Sequence, residues 1–278
     1  MSGCLVDLAR TRVFYDGTLT DPQLDHPEGI AIHPDGSVWC GGERGQIFRI
    51  ARDGSSMDQV ASTGGFCLGL AFAGDRLYVC DMKHRAVFAL DTRTGRLERF
   101  AEGAGGVRMR VPNAIAVLPG GDLFVSDSHG MKEPGPGIFR FQPDGSGELW
   151  YDADVDFANG VALSPDSRFL YVAATFGSAV FRIPIGEDGS PGGREEVVHL
   201  PGVLPDGLAL DTAGRLYIAC YEPSKVLRVA PDGTVRCLVA DPEAHQLCHP
   251  TNVALRGGEM FISNLGRWHV TALQLPEE

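Results

Sequence analysis

The sequence predicts an all-β fold, a six-bladed β-propeller that residues 1–278 form as a single domain. Three observations predict it: a short phrase that recurs six times, short apolar runs separated by turns, and a last repeat that lacks its fourth strand. The 36 glycines and 18 prolines are spread between the apolar runs, which is how a protein with many tight turns distributes them. We therefore expect β structure throughout the chain.

The recurring phrase opens every repeat. Its copies lie at residues 27–32, 67–72, 112–117, 158–163, 205–210 and 250–255. The second residue of each copy stands at position 28, 68, 113, 159, 206 or 251, so successive copies are 40, 45, 46, 47 and 45 residues apart. This spacing is the period of a four-stranded propeller blade.

The later segments of each repeat complete a blade of four strands. The phrase is the first strand, and a turn containing Pro, Asp and Gly follows it, as at residues 33–36. A second strand that is apolar on both faces comes next, as at 123–125, and a third with alternating polarity, as at 137–141. Outer strands are predicted at 97–100, 148–151, 195–198 and 235–238.

The sixth repeat ends before it reaches an outer strand. Residues 12–16, which read Arg-Val-Phe-Tyr-Asp, have the character of the missing strand and precede the first repeat. We expect this N-terminal segment to supply the outer strand of the last blade and to close the ring without a free sheet edge.

Charge and composition exclude some classes of partner. The net charge is −12, from 24 Lys and Arg against 36 Asp and Glu, and no basic run of five or more occurs, so we expect no nucleic-acid or membrane partner. The N-terminus lacks a basic start and an apolar signal segment, which predicts a cytoplasmic protein. The seven cysteines show no C-x-x-C spacing, so we expect neither a disulfide framework nor a zinc ribbon, and most should be small buried hydrophobes.

The heads of the six first strands are the candidate functional site. The first strand of every blade runs along the central channel, so these positions converge on one axis; they are Glu28, Leu68, Asn113, Asn159, Asp206 and Thr251. Four of them can ligate through oxygen, and two carboxylates facing each other would repel and lose solvation unless a cation lay between them. This predicts one divalent ion, Ca²⁺, Mg²⁺, Mn²⁺ or Zn²⁺. The alternative is that polar residues merely line a water-filled channel.

Three phrases make the chain recognisable. Phe-Ala-Asn-Gly-Val-Ala-Leu-Ser-Pro-Asp at 157–166, Leu-Pro-Asp-Gly-Leu-Ala-Leu-Asp at 204–211 and Gly-Arg-Leu-Tyr-Ile-Ala-Cys-Tyr at 214–221 resemble the senescence marker protein, gluconolactonase and luciferin-regenerating enzyme family. The resemblance extends over all six repeats. It implies that Glu28, Asn159 and Asp206 bind a divalent metal and that Asn113 contacts the substrate or a metal-bound water.

The resemblance also implies a reaction, the hydrolysis of a small-molecule lactone or related ester. The metal would polarise the carbonyl as a Lewis acid and lower the pKa of a bound water, while a carboxylate takes the proton. Asp206 is the candidate for ligand and base together, and Asp127 or His129 are the alternatives for the base. Nothing in the sequence selects the native metal or the oligomeric state.

The third repeat departs from the sugar-lactonase pattern. Members of the family that act on sugar lactones often carry Arg-x-Asn-Asp there, whereas this chain has Val111-Pro112-Asn113-Ala114. We therefore expect a lactone with fewer hydroxyl groups than gluconolactone. Residues after the second strands should supply the remaining pocket wall; the candidates are Glu43, Asp81, His84, Asp127, His129, Phe176, Tyr221, Asn264 and Trp268.

Other functions are compatible with the same fold, since a fold does not determine a function. One is a different enzyme, such as a strictosidine-synthase-like catalyst, which would rely on a Glu and need no metal, or an organophosphate hydrolase. Another is a non-enzymatic propeller that binds a metal or a metabolite. Turnover of a lactone panel with and without chelator separates these possibilities.

Overall fold

The structure is a computed structural model that describes residues 3–131, 133–135 and 137–276. The prediction that the N-terminus lacks a signal segment includes Met1 and Ser2, which lie outside these residues. Within the described residues the only helical element is a single 3-10 turn at Leu8–Arg10, and the remaining elements are 26 β-strands. None of the helical structure in this part of the chain is long and apolar enough to span a membrane.

Twenty-four of the strands form six four-stranded antiparallel sheets, arranged as the six blades of a propeller. Strand β1 (Arg12–Asp16) precedes the first repeat. Blade one contains β2 (Ile30–Ile32), β3 (Val38–Gly41), β4 (Gln46–Ile50) and β5 (Met57–Ser62), and blade two contains β6 (Cys67–Ala73), β7 (Arg76–Asp81), β8 (Ala86–Asp91) and β9 (Leu97–Ala101). A short hairpin, β10 (Gly103–Ala104) and β11 (Val107–Arg108), leads into the next blade.

The remaining blades follow the same order from the channel outwards. Blade three contains β12 (Pro112–Val117), β13 (Leu123–Asp127), β14 (Gly137–Phe141) and β15 (Gly147–Tyr151), and blade four contains β16 (Ala158–Leu163), β17 (Phe169–Ala174), β18 (Ala179–Pro184) and β19 (Glu195–His199). Blade five contains β20 (Leu204–Leu210), β21 (Leu216–Glu222), β22 (Lys225–Val229) and β23 (Val235–Ala240), and blade six contains β24 (Pro250–Arg256), β25 (Glu259–Asn264) and β26 (His269–Gln274).

The N-terminal segment closes the ring, as the incomplete sixth repeat predicts. Strand β1 pairs with β26, from Arg12 opposite Ala272 to Asp16 opposite His269, and forms the fourth strand of blade six. Its Phe14 is buried and meets Phe261 edge to face, with ring centroids 4.8 Å apart. The last blade is therefore completed by the first strand of the chain.

The core lies between the blades. Six clusters of buried apolar side chains occur among the described residues, and each combines residues from two neighbouring blades. Second strands supply much of them: every residue of β3 and of β13 is buried, as expected for a strand that packs on both faces. The channel strands are thereby held in position from both sides.

One pair of cysteines departs from the expectation that these residues are small buried hydrophobes outside a disulfide framework. Cys4 and Cys237 form a disulfide that ties the segment ahead of β1 to the outer strand of blade five. The two residues are 233 positions apart, so their spacing along the sequence does not indicate that they pair. Closure of the ring brings them together. The other five cysteines are buried and free, as predicted, and burial raises the pKa of the Cys67 and Cys220 thiols to about 12.

Candidate metal centre

The structure places the four polar candidates in the same environment at the heads of their channel strands. Glu28, Asn113, Asn159 and Asp206 are each only 5–6% exposed. Glu28 lies just ahead of β2, where its N–H donates to the carbonyl of Gly41. The non-ligating member of the set, Leu68, is buried to the same degree.

A β-bulge lies at the candidate position in β12, β16 and β20. In β16, Ala158 pairs with Ala174 and Val161 with Val172, so three steps on the channel strand match two steps on its neighbour. Asn159 therefore belongs to the irregular segment, and the same shift surrounds Asn113 and Asp206. Bulges change the direction in which a side chain points. The same shift surrounds Leu68 in β6, so the bulge belongs to this repeat position whether or not its side chain is polar.

Small residues let the channel strands approach one another closely. A Cβ on Gly160 would lie 2.2 Å from the carbonyl oxygen of Asp206, and a Cβ on Gly29 would lie 2.0 Å from that of Leu68. Neither glycine needs a left-handed backbone, so space alone requires glycine at these positions. The Glu-Gly and Asn-Gly pairs of the phrase are thus a consequence of strand packing around the channel.

Hydroxyl groups of the second strands hold the backbone of the next blade's channel strand. These bonds run from Ser263 Oγ to the carbonyl of Glu28 (2.6 Å), from Ser126 Oγ to that of Asn159 (2.7 Å) and from Thr175 Oγ1 to that of Pro205 (2.8 Å). All three donors are buried. The backbone of each metal-ligand candidate, or of the residue before it, is therefore anchored by the adjacent blade.

The two carboxyl groups are neighbours inside the protein. Burial raises the pKa of Glu28 well above its usual range, and the negative charge of Asp206 raises it further. Burial also raises the pKa of Asp206, although a hydrogen bond from Asn159 lowers it in part. One oxygen of each group, Glu28 Oε2 and Asp206 Oδ1, is buried without a hydrogen-bond partner.

These residues fit a divalent cation. A buried oxygen without a partner costs free energy, and two such oxygens on neighbouring carboxyl groups form an incomplete coordination shell for a positive ion. Asn159 donates its N–H to Asp206, so its amide oxygen could serve as a third ligand. Two carboxylates and an amide are hard oxygen ligands of the kind that Ca²⁺, Mg²⁺ and Mn²⁺ prefer.

Asn113 is held differently from the other three. Its Nδ2 donates to Ser128 Oγ at 2.9 Å, and the same hydroxyl donates to the carbonyl of Ala158 at 2.7 Å. These two linked hydrogen bonds fix the plane of the Asn113 amide and leave its Oδ1 as an acceptor. Asn113 is thus a rigid polar group that can orient a substrate or a water.

Three of the predicted wall residues have structural roles. Asp127 accepts three backbone hydrogen bonds, from the N–H groups of Arg110, Val111 and His129. Asp81 accepts from the N–H of Phe66 and His84, and Asn264 Oδ1 accepts from the N–H of Cys248. Each of these side chains ends a second strand and fixes the loop that enters the channel strand of its own blade. These side chains, two carboxylates and one amide, are therefore engaged with loop backbone.

The other wall candidates lie at this end of the channel, Tyr221 near the end of β21 and the rest on loops. His84 Nε2 contacts the carbonyl of Thr63, and Glu43 is exposed beside His26. Tyr221 stacks on a ring from a neighbouring loop, and Phe176 and Trp268 each pack against such a ring at a tilted angle. His129 is 2% exposed, and both of its ring nitrogens lack a partner, which leaves it as the one buried imidazole in this group available for proton transfer.

One acidic cluster at the same end was missed from the sequence. Asp25, His26 and Glu43 each place a ligand atom within 4.8 Å of the others. Asp25 is already bound by Arg44 and Gln46, however, and Glu43 is exposed. The sequence shows His26 directly before Pro27, at the start of the first phrase. Its proximity to Glu43 depends on the fold.

Comparisons with known proteins agree with this architecture. The family model described as SMP-30/Gluconolactonase/LRE-like region matches residues 59–264, and the strictosidine synthase-like N-terminal model matches residues 18–50. A 6-deoxy-6-sulfogluconolactonase of Pseudomonas putida is 30% identical over 228 residues, which cover 80% of this chain and 75% of that protein.

A plant relative and a solved structure extend the comparison. A strictosidine synthase-like protein of Arabidopsis thaliana is 28% identical over 70% of this chain, but the match spans only 56% of that protein's length. A solved gluconolactonase of Xanthomonas campestris superposes with a TM-score of 0.78 at 24% identity, covering 96% of this chain and 89% of that one, which establishes the shared fold. The family model covers well over half of the chain, and this protein therefore belongs to the SMP-30/gluconolactonase/LRE-like family.

Proposed function

We propose that this protein is a divalent-metal-dependent hydrolase of lactones. The observation that carries the proposal is the pair of neighbouring buried carboxyl groups, Glu28 and Asp206, each with an oxygen that has no partner. The name of the relative that is 30% identical, a sulfogluconolactonase, supports a lactone as the substrate class. Glu28, Asn159 and Asp206 would hold the ion, which we take to be Ca²⁺, Mg²⁺, Mn²⁺ or Zn²⁺.

The reaction adds one water to the lactone. The water oxygen bonds to the carbonyl carbon, the ring C–O bond breaks, and the departing alkoxide takes a proton, which yields a hydroxy acid. When bound, a divalent ion supplies Lewis acidity to a carbonyl oxygen and lowers the pKa of water. Asn113, fixed through Ser128, orients the reacting group through its free Oδ1.

Asp206 is the proposed proton acceptor. It would be ligand and base together, and a bound cation would lower the basicity of its carboxylate. Asp127 is the weakest of the three candidates, because three backbone N–H groups occupy its carboxylate. His129 is the second candidate, since both of its ring nitrogens are buried and unpartnered.

Substitution at three channel heads tests the proposal. Asp206→Ala should lose metal and nearly all lactone turnover, whereas Asn113→Ala should keep the metal and lose about 10–100-fold in rate. Leu68→Ala is the control, because Leu68 has the equivalent position and no ligating atom. Metal content after dialysis and lactone hydrolysis are measured together. Stoichiometric metal and full activity in Asp206→Ala would refute the site, and the region around His129 would then be examined.

A strictosidine-synthase-like activity is the second candidate, favoured by the family-model match at residues 18–50 and by the plant relative. It would depend on Glu28 without a metal. Glu28→Gln should then abolish activity that chelator leaves intact. Under the leading proposal, chelation itself removes activity and added metal restores it.

A further inference from the structure

The positions two residues before the six channel heads share one character. They are His26, Phe66, Val111, Phe157, Leu204 and His249, which we call the collar. All six are half-buried, and none carries a carboxylate, an amide, a hydroxyl or a permanent positive charge. The collar lies at the channel end that holds Glu28 and Asp206, and each of its residues is two positions further from the middle of its channel strand.

Aromatic contacts reinforce the collar at three of the six blades. His26 packs against Trp268 with ring centroids 4.6 Å apart, Phe157 packs on Phe176 at 4.8 Å, and His249 stacks on Tyr221 at 4.6 Å. In each pair the second ring comes from the end of a second strand or from the loop that follows it. Apolar and aromatic surface is thus built at the mouth from two independent sets of loops.

The backbone conformation at these three positions is unusual. His26, Phe157 and His249 have φ values of 41°, 67° and 49°, in the left-handed region that residues other than glycine seldom adopt. Such conformations persist where the surrounding structure holds them, and they concentrate at ligand sites. Their recurrence at one repeat position, each time on a ring that contacts a second ring, indicates that the fold holds these rings in place at the mouth.

The two imidazoles of the collar differ in how their Nδ1 atoms are placed. His249 Nδ1 lies 3.1 Å from the carbonyl oxygen of Tyr221 and 3.2 Å from Glu222. His26 Nδ1 lies within 3.5 Å of the Asp25 and Glu43 carboxylates but makes no hydrogen bond. The other four collar side chains, Phe66, Val111, Phe157 and Leu204, carry no hydrogen-bonding group. A polyhydroxylated ligand would give up its hydrogen bonds to water here and find few replacements.

We propose that the collar selects lactones that carry an alkyl or aryl substituent, with the carbonyl at the polar channel heads and the substituent against the aromatic pairs. This inference rests on the proposed lactonase function and adds the substrate class to it. An apolar pocket with a few polar groups at its base is the usual form of a site for such a ligand.

The test compares three lactones on the metal-loaded full-length protein: δ-decalactone, δ-valerolactone and glucono-1,5-lactone. The value of kcat/KM for δ-decalactone should exceed that for either of the others by at least about tenfold, because burying several methylene groups favours the substituted substrate. A preference for glucono-1,5-lactone would overturn the inference and leave the proposed function intact.

Two substitutions connect the preference to the collar. Phe157→Asn removes the ring while keeping a residue that tolerates the left-handed backbone, and Phe176→Ser removes its partner on an exposed loop. Either should lower kcat/KM for δ-decalactone about tenfold and leave that for δ-valerolactone within about twofold. The control is Phe169→Asn at the opposite end of blade four, where Arg182 lies over the ring. Equal losses for the control and the collar variants would overturn the inference.

Binding separates this inference from the proposed function. If none of the lactones is hydrolysed with any of the four metals, the proposed function fails. Calorimetric titration of δ-decalactone and glucono-1,5-lactone into the metal-loaded protein then tests the selectivity of the collar independently of turnover. Tighter binding of δ-decalactone, weakened by Phe157→Asn, supports the collar, and equal or absent binding of the two refutes it.

Discussion

At the scale of the residue, the environment of Glu28 and Asp206 decides their chemistry. A surface carboxyl group is ionised at neutral pH because water solvates its charge. Both of these groups are buried, they are close enough to repel each other, and one oxygen of each lacks a partner. Burial therefore raises the pKa of Asp206 to about 8 in the metal-free protein.

The stability of the metal-free protein should therefore fall as pH rises. The ordinary pKa of Asp206 is 3.8, so between about pH 4 and pH 8 the unfolded chain is ionised at this residue while the folded chain holds the proton. Each pH unit in that window costs up to about 1.4 kcal/mol for one such group. Urea unfolding in EDTA at pH 5, 6, 7 and 8 measures this change.

Metal should reverse the trend, because a bound cation stabilises the ionised carboxylates. The gain in unfolding free energy on adding metal is expected to grow from pH 5 to pH 8. Asp206→Asn cannot ionise, so it should show a flatter pH dependence without metal and a smaller gain with it. An identical pH dependence in this variant and in the unmodified protein would contradict the raised pKa of Asp206.

At the scale of the element, the channel strands are defined by their irregularities. Bulges in β12, β16 and β20 direct Asn113, Asn159 and Asp206, and glycine lets neighbouring strands approach. Gly160 is the most informative position, because the atoms that would meet its Cβ are all backbone atoms of β20. Backbone atoms cannot move aside as a flexible side chain would.

Gly160→Ala should therefore disturb the site as well as the fold. The added methyl would lie 2.2 Å from the Asp206 carbonyl oxygen, so β20 must shift, at a cost of about 1–3 kcal/mol in stability. We expect metal affinity to fall with it, because Asp206 moves with its strand. Gly120→Ala is the matched control, since no atom lies within 4 Å of that Cβ. Unchanged metal affinity in Gly160→Ala would show that the strands can adjust independently of the ligands.

At the scale of the whole molecule, the ring is held by one strand from each end of the chain. Strand β1 pairs with β26, and just ahead of it Leu5 and Val6 donate backbone hydrogen bonds to the outer strand of blade five. The apolar cluster between blades six and one includes Phe14, Phe261 and Val270. A propeller that loses this closure exposes a sheet edge and one inter-blade face.

Deletion of residues 1–17 should abolish the cooperative unfolding transition. Phe14→Ala is a milder change to the same strand. It should lower the free energy of unfolding by about 3–5 kcal/mol, because it leaves a cavity beside Phe261. Val13→Ala, on the exposed face of the same strand, should stay within about 0.5 kcal/mol. Urea unfolding with a reductant present measures all three without a contribution from the Cys4–Cys237 disulfide. A truncated protein as stable as the full chain would refute the closure.

Most of the architecture follows from the repeat, which can be read from the sequence alone. The six phrases, their spacing and the missing outer strand predict six blades and closure by residues 12–16, and the structure has both. Each of these depends on local patterns, such as turn residues and strand polarity, that are written in consecutive positions. The heads of the channel strands follow from the same register.

The use of those residues depends on contacts that form only in the folded ring. Asp81, Asp127 and Asn264 hold loop backbone, Cys4 meets Cys237, and His26 packs against Trp268. These contacts join segments that are separate in sequence, and a carboxylate that will bind an amide looks the same along the chain as one that will bind a cation. What distinguishes them is which hydrogen-bond donors lie nearby once the ring has closed, and closure depends on all six blades together.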